Sequence, residues 1–293
     1  MSRRRQLPRQ VRIWLLLSPA LAIVGALFLG GLALGVVQSF GYLPLIGRSR
    51  GSLDAYGAVW RDPAVRASLV LTLRTSLVAT ALSSVLGVAG ALTVRATRRG
   101  RRLASLVFQY NLSVPHSVGA LCMLLLLQQS GLISRLAGAA GLGAGERSFP
   151  VVVHDRFGWG IVAELVWKET PFIGVVVLAA LSSGVQELED VARSLGAGAW
   201  QRLRMIVLPL VTPGLVATSV IVFAFSFGSY EVPFLLGRPF PATLPVVSYE
   251  YYRDTDLNAR PQAMAISVGV AVFVGTLVVC YSAALDRFVR RTG

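Results

Sequence analysis

The stretch IWLLLSPALAIVGALFLGGLALGVV, Ile13 to Val37, decides the fold class. It carries no ionisable side chain, and a helix needs about 20 apolar residues to cross a hydrocarbon core of about 30 Å. The basic leader before it, with Arg3, Arg4, Arg5, Arg9 and Arg12, imitates a secretory signal. Signal cores, however, are usually about 7 to 15 residues long, so the run reads as an uncleaved first span.

Five further segments qualify on the same criterion. With the first, they fall at about Ile13–Phe40, Ala67–Val94, Leu103–Leu127, Gly158–Leu181, Val211–Leu236 and Ala263–Leu285. The bilayer core offers no water to backbone N–H and C=O groups, which leaves the helix as the spanning form for runs of this length. The expected fold class is therefore all-α, a polytopic membrane protein of about six transmembrane helices. A basic N-terminus covers residues 1–12 and a single transmembrane domain covers 13–293. Small pairs such as Gly30-Gly31 and Ser83-Ser84 let helices approach closely within it.

Composition agrees, with 54% of residues hydrophobic and 14% charged, whereas about a quarter of a soluble domain is charged. In a soluble protein the net charge of +14 would point to nucleic acid. Here the arginines sit beside apolar runs and report topology instead, so no nucleic-acid partner is expected. They gather at the N-terminus, in the second connection (Arg95, Arg98, Arg99, Arg101, Arg102), in the fourth (Arg193, Arg202, Arg204) and at the C-terminus (Arg287, Arg290, Arg291). The first, third and fifth connections mix arginine with Asp54, Asp62, Glu146, Asp155, Glu250, Asp254 and Asp256. The positive-inside rule then places both termini in the cytoplasm. Cys122 and Cys280 lie in apolar runs at opposite depths, and read as two small buried side chains rather than a disulfide.

The fourth connection carries the most information. QELEDVARSLGAGAWQRLRMIVLPLVTPG, Gln186 to Gly214, is too charged at its start to span and too regular for a linker. Glu187, Glu189 and Asp190 occupy an opening helical turn, where carboxylates complement the helix dipole. Leu188, Val191, Ala192 and Leu195 recur at helical spacing and form one apolar stripe. Gly196 and Gly198, flanking Ala197, can adopt the left-handed backbone that ends a helix. A second short helix follows, with Trp200, Leu203 and Ile206 or Val207 on one side, and Pro209 suits the first turn of the next span. Spacing alone leaves two fates open for the stripe: docking in a partner's groove, or packing on the protein's own spans or in the lipid interface.

This segment resembles the EAA loop of permeases from binding-protein-dependent ABC importers, whose pattern is Glu-Ala-Ala, three residues, Gly, nine residues, then Ile-x-Leu-Pro. Asp190-Val191-Ala192 stands at the triplet, Gly196 follows after three residues, and Ile206, Leu208 and Pro209 fall after nine more. The triplet departs from the pattern by Asp for Glu and Val for Ala. LDAYGAVWRDPAVRASLVLTL, Leu53 to Leu73, and WKETPF, Trp167 to Phe172, are also similar to segments of that family.

The resemblance implies a transmembrane permease subunit of a bacterial inner membrane whose loop 186–209 forms a coupling helix seated in a separate ATPase subunit. Leu188, Asp190, Val191, Ala192, Leu195, Gly196, Ala197, Ile206 and Pro209 are the residues it assigns to that contact. It further implies a second permease subunit, homologous or identical, and an extracytoplasmic substrate-binding protein. ATP and magnesium would reside in the ATPase, with no cofactor on this chain. Phe225 to Gly237 and Pro241 to Tyr252 look most like the spermidine/putrescine branch, which implies a polyamine or another small solute as cargo.

Apart from the resemblance, no Gly-x4-Gly-Lys-Ser/Thr phosphate loop is present, because the single lysine, Lys168, lies inside a span. Neither His116 nor His154 has a second histidine or cysteine at metal-ligand spacing, so no metal site is expected. No set of catalytic residues is apparent, and the chain does not read as an enzyme. Ionisable groups inside a bilayer are costly and mark function by default. Glu164 and Lys168 stand four apart in the order that favours a helical salt bridge, with Glu169 adjacent. Asn111, Ser113, Pro115 and His116 make a polar, kinked patch, and Tyr230 and Glu231 interrupt the outer end of the fifth span. Asn111, His116, Glu164, Lys168, Tyr230 and Glu231 are therefore candidates for a substrate pathway, with helix packing as the alternative. Glu231, Glu250, Asp254 and Asp256 could attract a cation. The competing functional class, an ion-gradient-driven secondary transporter, calls for paired broken helices and a repeat, neither visible in the sequence.

Overall fold

The computed structural model describes residues 8–97, 99–141, 149–181 and 184–292, without the side chains of 9, 45, 101 and 285–292. Arg3, Arg4, Arg5, Arg98, Glu146 and the side chains of Arg287, Arg290 and Arg291, which support part of the topology reading, lie outside the described residues. Among the described residues the regular structure is helical, and β pairing is limited to one bridge between Leu43 and Arg48.

Helix α1 (Arg9–Ser39) is apolar on every side and packs mainly on the last helix of the chain. Trp14, Leu16, Leu27 and Phe28 point outward, as expected of a helix whose surroundings are hydrocarbon. Helices α2 (Asp54–Arg61) and α3 (Pro63–Ala96) meet at Asp62, whose carboxylate caps α3 by accepting from the Ala64 N–H at 2.8 Å. Its other oxygen accepts from the Tyr251 hydroxyl at 2.9 Å.

The third span expected over Leu103–Leu127 is not one helix. The chain forms α4 (Arg101–Gln109), a 3-10 turn (Tyr110–Ser113), α5 (His116–Leu127) and α6 (Leu132–Ala139). Pro115 has no N–H to donate and forces Val114 into extended backbone at φ −83°, ψ 127°, which breaks the helix. The stretch that is long and apolar enough to cross runs instead from His116 to Ala139.

Helix α7 (Trp159–Leu181) packs along α3 more extensively than any other pair of helices does among the described residues. Gly87 permits it: a Cβ there would stand 2.9 Å from the Ile173 side chain. Phe108 of α4 wedges into the same seam, where Gly90 and Gly174 leave room for its ring. Helices α8 (Val185–Ser194), α9 (Ala199–Arg202) and α10 (Leu208–Gly228) follow. The fifth span, expected over Val211–Leu236, ends earlier. Ser229 turns extended at φ −67°, ψ 130° after Gly228, and a separate α11 (Glu231–Leu236) begins. Helix α12 (Leu244–Arg253) and the long α13 (Arg260–Thr292) close the chain around Phe223, Phe227, Leu244, Val247 and Ile266.

Among the described residues five stretches are long and apolar enough to cross a membrane, and α7, which carries Glu164, Lys168 and Glu169, passes the same criterion only when counted together with α8, from which it is bent by 64°. Cys122 and Cys280 are free and exposed rather than buried, because both stand on outward faces that only lipid or a partner would cover.

Burial first, then the hydrogen bond to Asp62, pushes the Tyr251 phenol up to about 12 from its usual 10.0. A raised phenol favours the neutral form in the folded state, so its contribution is complete below pH 10 and is lost as pH rises towards 12. In detergent, the melting temperature is expected to fall over that window in the wild type, and Tyr251→Phe is expected to remove this step. Asp62→Ala, which removes the α3 cap, is expected to cost about 1–2 kcal/mol.

Candidate functional site

Helix α8 starts after Gly184 (φ 73°) and ends at Gly196 (φ 86°). The Ala197 N–H donates to the Ala192 carbonyl at 2.9 Å and the Gly196 N–H to the Arg193 carbonyl at 3.0 Å, so the final carbonyls are satisfied and the helix stops sharply. Gly198 is not left-handed as the sequence suggested. It is extended (φ −67°, ψ 166°) and opens α9, with its N–H donating to Gln201 Oε1 at 2.9 Å.

No separate second helix follows. Ala199 to Gly228 is continuous through a π-turn at Leu203–Val207. Pro209 explains the wide turn, since its ring would crowd the carbonyl of Met205 and its nitrogen cannot donate to it.

Burial divides the apolar residues of this loop into two groups. Val185 and Val207 are buried, and Leu203 and Ile206 pack against the same core as Ile173 and Val177. Leu188, Val191, Leu195, Trp200 and Met205 face outward, with Leu195 83% exposed. Ala192 and Ala197 are half-buried, Asp190 and Gly196 are exposed, and Pro209 is exposed at the start of α10. A groove of about 340 Å³ runs between Ala192, Leu195, Gly196, Gln201, Met205 and Ile206. Asp190 pairs with Arg193 at 3.1 Å on the exposed face, while Glu189 pairs with Arg95 of α3 at 2.5 Å.

The second feature is a buried charge cluster around the break before α5. Glu164 is 0% exposed, Lys168 5% and Glu169 7%. The expected Glu164–Lys168 helical salt bridge is absent from the described ion pairs. Lys168 Nζ instead donates to the carbonyls of Asn111 and Val114, each at 2.6 Å, and Asn111 Nδ2 donates to the Trp167 carbonyl at 2.5 Å. The Asn111 carbonyl also accepts from the Val114 N–H at 3.0 Å within the turn, so Lys168 completes that carbonyl and serves the Val114 carbonyl, standing within the bilayer where water would otherwise donate. Imidazole nitrogens of His116 lie 3.3 Å from Glu164 Oε1 and 3.6 Å from Glu169 Oε1. Gly119 makes room, since a Cβ there would be 2.9 Å from the same Glu164 oxygen. His116 also packs against Phe225 with ring centroids 4.7 Å apart and planes tilted by 39°, and a cavity of about 440 Å³ opens beside Pro115, His116, Lys168, Glu169, Phe172 and Phe225.

The structure thus brings Asn111, His116, Glu164 and Lys168 together and adds Glu169 and Phe225. Phe225 carries no sequence signal, because an aromatic residue in an apolar run looks like core. Tyr230 instead stacks on Phe234 and meets Tyr249 at a tilt of 58°, and Glu231 stands exposed at the start of α11. Acids of the connections, Asp256 of the cation-attracting set among them, have structural duties. Asp155 accepts from the N–H groups of Phe157, Gly158 and Trp159, and Asp256 accepts from Asn258, whose backbone and side-chain donors hold its carboxyl below the usual range.

Removing Lys168 takes its donor from the Val114 carbonyl and one of two donors from the Asn111 carbonyl, and leaves two buried carboxylates without that positive charge. Lys168→Met is therefore expected to destabilise the protein by about 3–5 kcal/mol, read as a lowered melting temperature in detergent. A wild-type melting temperature for the variant would refute this account of the break.

Comparison with known proteins places this geometry. The family model described as binding-protein-dependent transport system inner membrane component matches residues 83–293. The chain is 31% identical over 210 residues to a probable molybdenum ABC transporter permease protein of Haloferax volcanii, covering 70% of this chain and 72% of that protein. It is 30% identical over 224 residues to the molybdenum transport system permease protein ModB of Mycobacterium tuberculosis, covering 75% and 80%. Among solved structures, a chain of a bacterial alginate ABC transporter has a TM-score of 0.75 at 21% identity, covering 94% of this chain and 96% of that one, which concerns the fold alone. The chain belongs to the family of binding-protein-dependent transport system inner membrane components, and is a permease subunit of an ABC importer rather than an ion-gradient-driven transporter or an enzyme.

Proposed function

We propose that the exposed face of α8, centred on Leu188, Val191 and Leu195, seats in a groove of a separate ATPase subunit on the cytoplasmic side of a bacterial inner membrane. The observation that carries this reading is the division of burial across the loop: Leu203, Ile206 and Val207 are used by the protein's own core, while the α8 stripe with Trp200 and Met205 is left uncovered. A packed self-contact would bury the stripe, and a helix capped at both ends by left-handed glycines has a fixed, dockable shape. Asp190, Ala192, Gly196, Ala197, Ile206 and Pro209 shape that face and its groove. With both termini in the cytoplasm, a second permease subunit completes the path and an extracytoplasmic binding protein delivers the solute.

We further propose that the solute is a small tetrahedral oxyanion, such as molybdate or sulfate. Support comes from relatives named for molybdenum at 30–31% identity and one named for sulfate at 25%. The spermidine/putrescine reading is the weaker one, since of the acids that would attract the cation Asp254 and Asp256 already accept hydrogen bonds within the fold.

Two measurements test these readings. Gly196→Pro and Ala192→Asp are each expected to lower the ATPase retained on co-purification by about tenfold or more, with membrane insertion intact; wild-type retention would refute docking. In vesicles supplied with the cognate ATPase and binding protein, labelled molybdate or sulfate is expected to accumulate with ATP. Accumulation of spermidine alone would overturn the oxyanion assignment.

A further inference from the structure

We infer that Arg95 and Glu189 form a strut through which α8 moves α3, and that they are positioning residues for the coupling step. The inference rests on the docking reading above. Arg95 lies in the last turn of α3, and Glu189 follows the buried Val185 by one turn of α8, on the flank facing the spans. Their Nη2 and Oε2 atoms are 2.5 Å apart, and their side chains are only 18% and 20% exposed. The neighbouring Arg193–Asp190 pair, at 64% and 56%, is solvated. Solvated pairs contribute little because water competes for both partners, whereas a shielded, charge-assisted pair is short, directional and costly to separate.

The remainder of α8 gives the strut its leverage. Gly184 and Gly196 hold left-handed backbone at its two ends, and a Cβ at either would meet nothing within 4 Å. Helix α8 is therefore a short rod between two open corners, and the Arg95 contact is the ion pair that ties it to a span among the described residues. Displacement of α8 reaches the end of α3 directly. From there it passes to α7 through the Gly87–Ile173 seam and to α10 through the Ser84 and Ser219 hydroxyls, 2.8 Å apart. Those two helices carry Glu164, Lys168, Glu169 and Phe225 around the intramembrane cavity. The first turn of α8 holds Glu187 but not Glu189 or Asp190, so the Glu189 carboxylate is placed by Arg95 rather than by the helix dipole that the sequence suggested.

The test uses the full chain, its partner permease, the cognate ATPase and the binding protein in proteoliposomes. Arg95→Glu and Glu189→Arg are each expected to retain the ATPase on co-purification but to import about tenfold less solute per ATP hydrolysed. The double variant Arg95→Glu with Glu189→Arg is expected to recover to within about threefold of the wild type, the signature of a direct pair. Arg95→Lys, which keeps the charge but loses the planar fork, is expected to fall between. Single variants with the wild-type ratio, or a double variant no better than the singles, would overturn the strut. Loss of the ATPase from the single variants would also overturn it by moving the pair into docking itself. A wild-type chain that retains no ATPase would instead bring down the docking reading, and the strut with it.

Discussion

A bilayer offers no water to a broken helix, and the rest of this structure is arranged around that constraint. Pro115 interrupts the chain before α5, so the Asn111 carbonyl accepts a 3-10 bond from the Val114 N–H within its own turn and the Val114 carbonyl needs a donor from another helix. The single lysine of the sequence supplies one from α7. Placing an ammonium group there requires carboxylates nearby, and Glu164 and Glu169, bridged by His116, provide them. Proline, lysine, two glutamates and a histidine thus form one electrostatic unit, with glycines at 87, 90, 119 and 174 letting the helices come close enough to share it.

This unit explains why the break can sit next to a cavity without unfolding the bundle. Irregular backbone at membrane depth is tolerated where protein groups or a cavity satisfy it. Here both are present on the same side of α5, and Phe225 closes the ring against His116. The connections at Asp62 and Asp155 follow a similar logic at lower cost. Asp62 and Asp155 satisfy helix starts, and Arg74 reaches the carbonyls of Arg156 and Phe157 at 2.8 and 2.9 Å.

The long apolar runs were legible in the sequence because length and hydropathy are sufficient physical reasons for α1, α3 and α13. The stripe at 188, 191 and 195 was legible because helical spacing is local, and so was the stop at Gly196. What escaped was non-local. Nothing in the i, i+4 spacing of Glu164 and Lys168 says that the lysine turns away to a loop more than 50 residues earlier in the chain. The break before α5 was visible as Pro115, yet hydropathy carried the expected span straight through it. The joining of α9 to α10 was missed because a proline after a charged helix looks like a boundary, while in the structure a wider turn absorbs it. Asp254 and Asp256 looked like part of a charge field because sequence gives charges without their hydrogen-bond partners.

The wide turn at Leu203–Val207 has one more implication, for angular phase. Each residue advances a helix by about 100°, so a π-turn rotates everything before it relative to an ideal continuation into α10. This offset lets Leu203 and Ile206 face the membrane-side core while Trp200 and Met205 face away from it. From Ala199 to Gly228 the chain is one continuous element with two azimuths, so a torque applied to the outward azimuth at Trp200 and Met205 is delivered along the axis of α10 with no break between them.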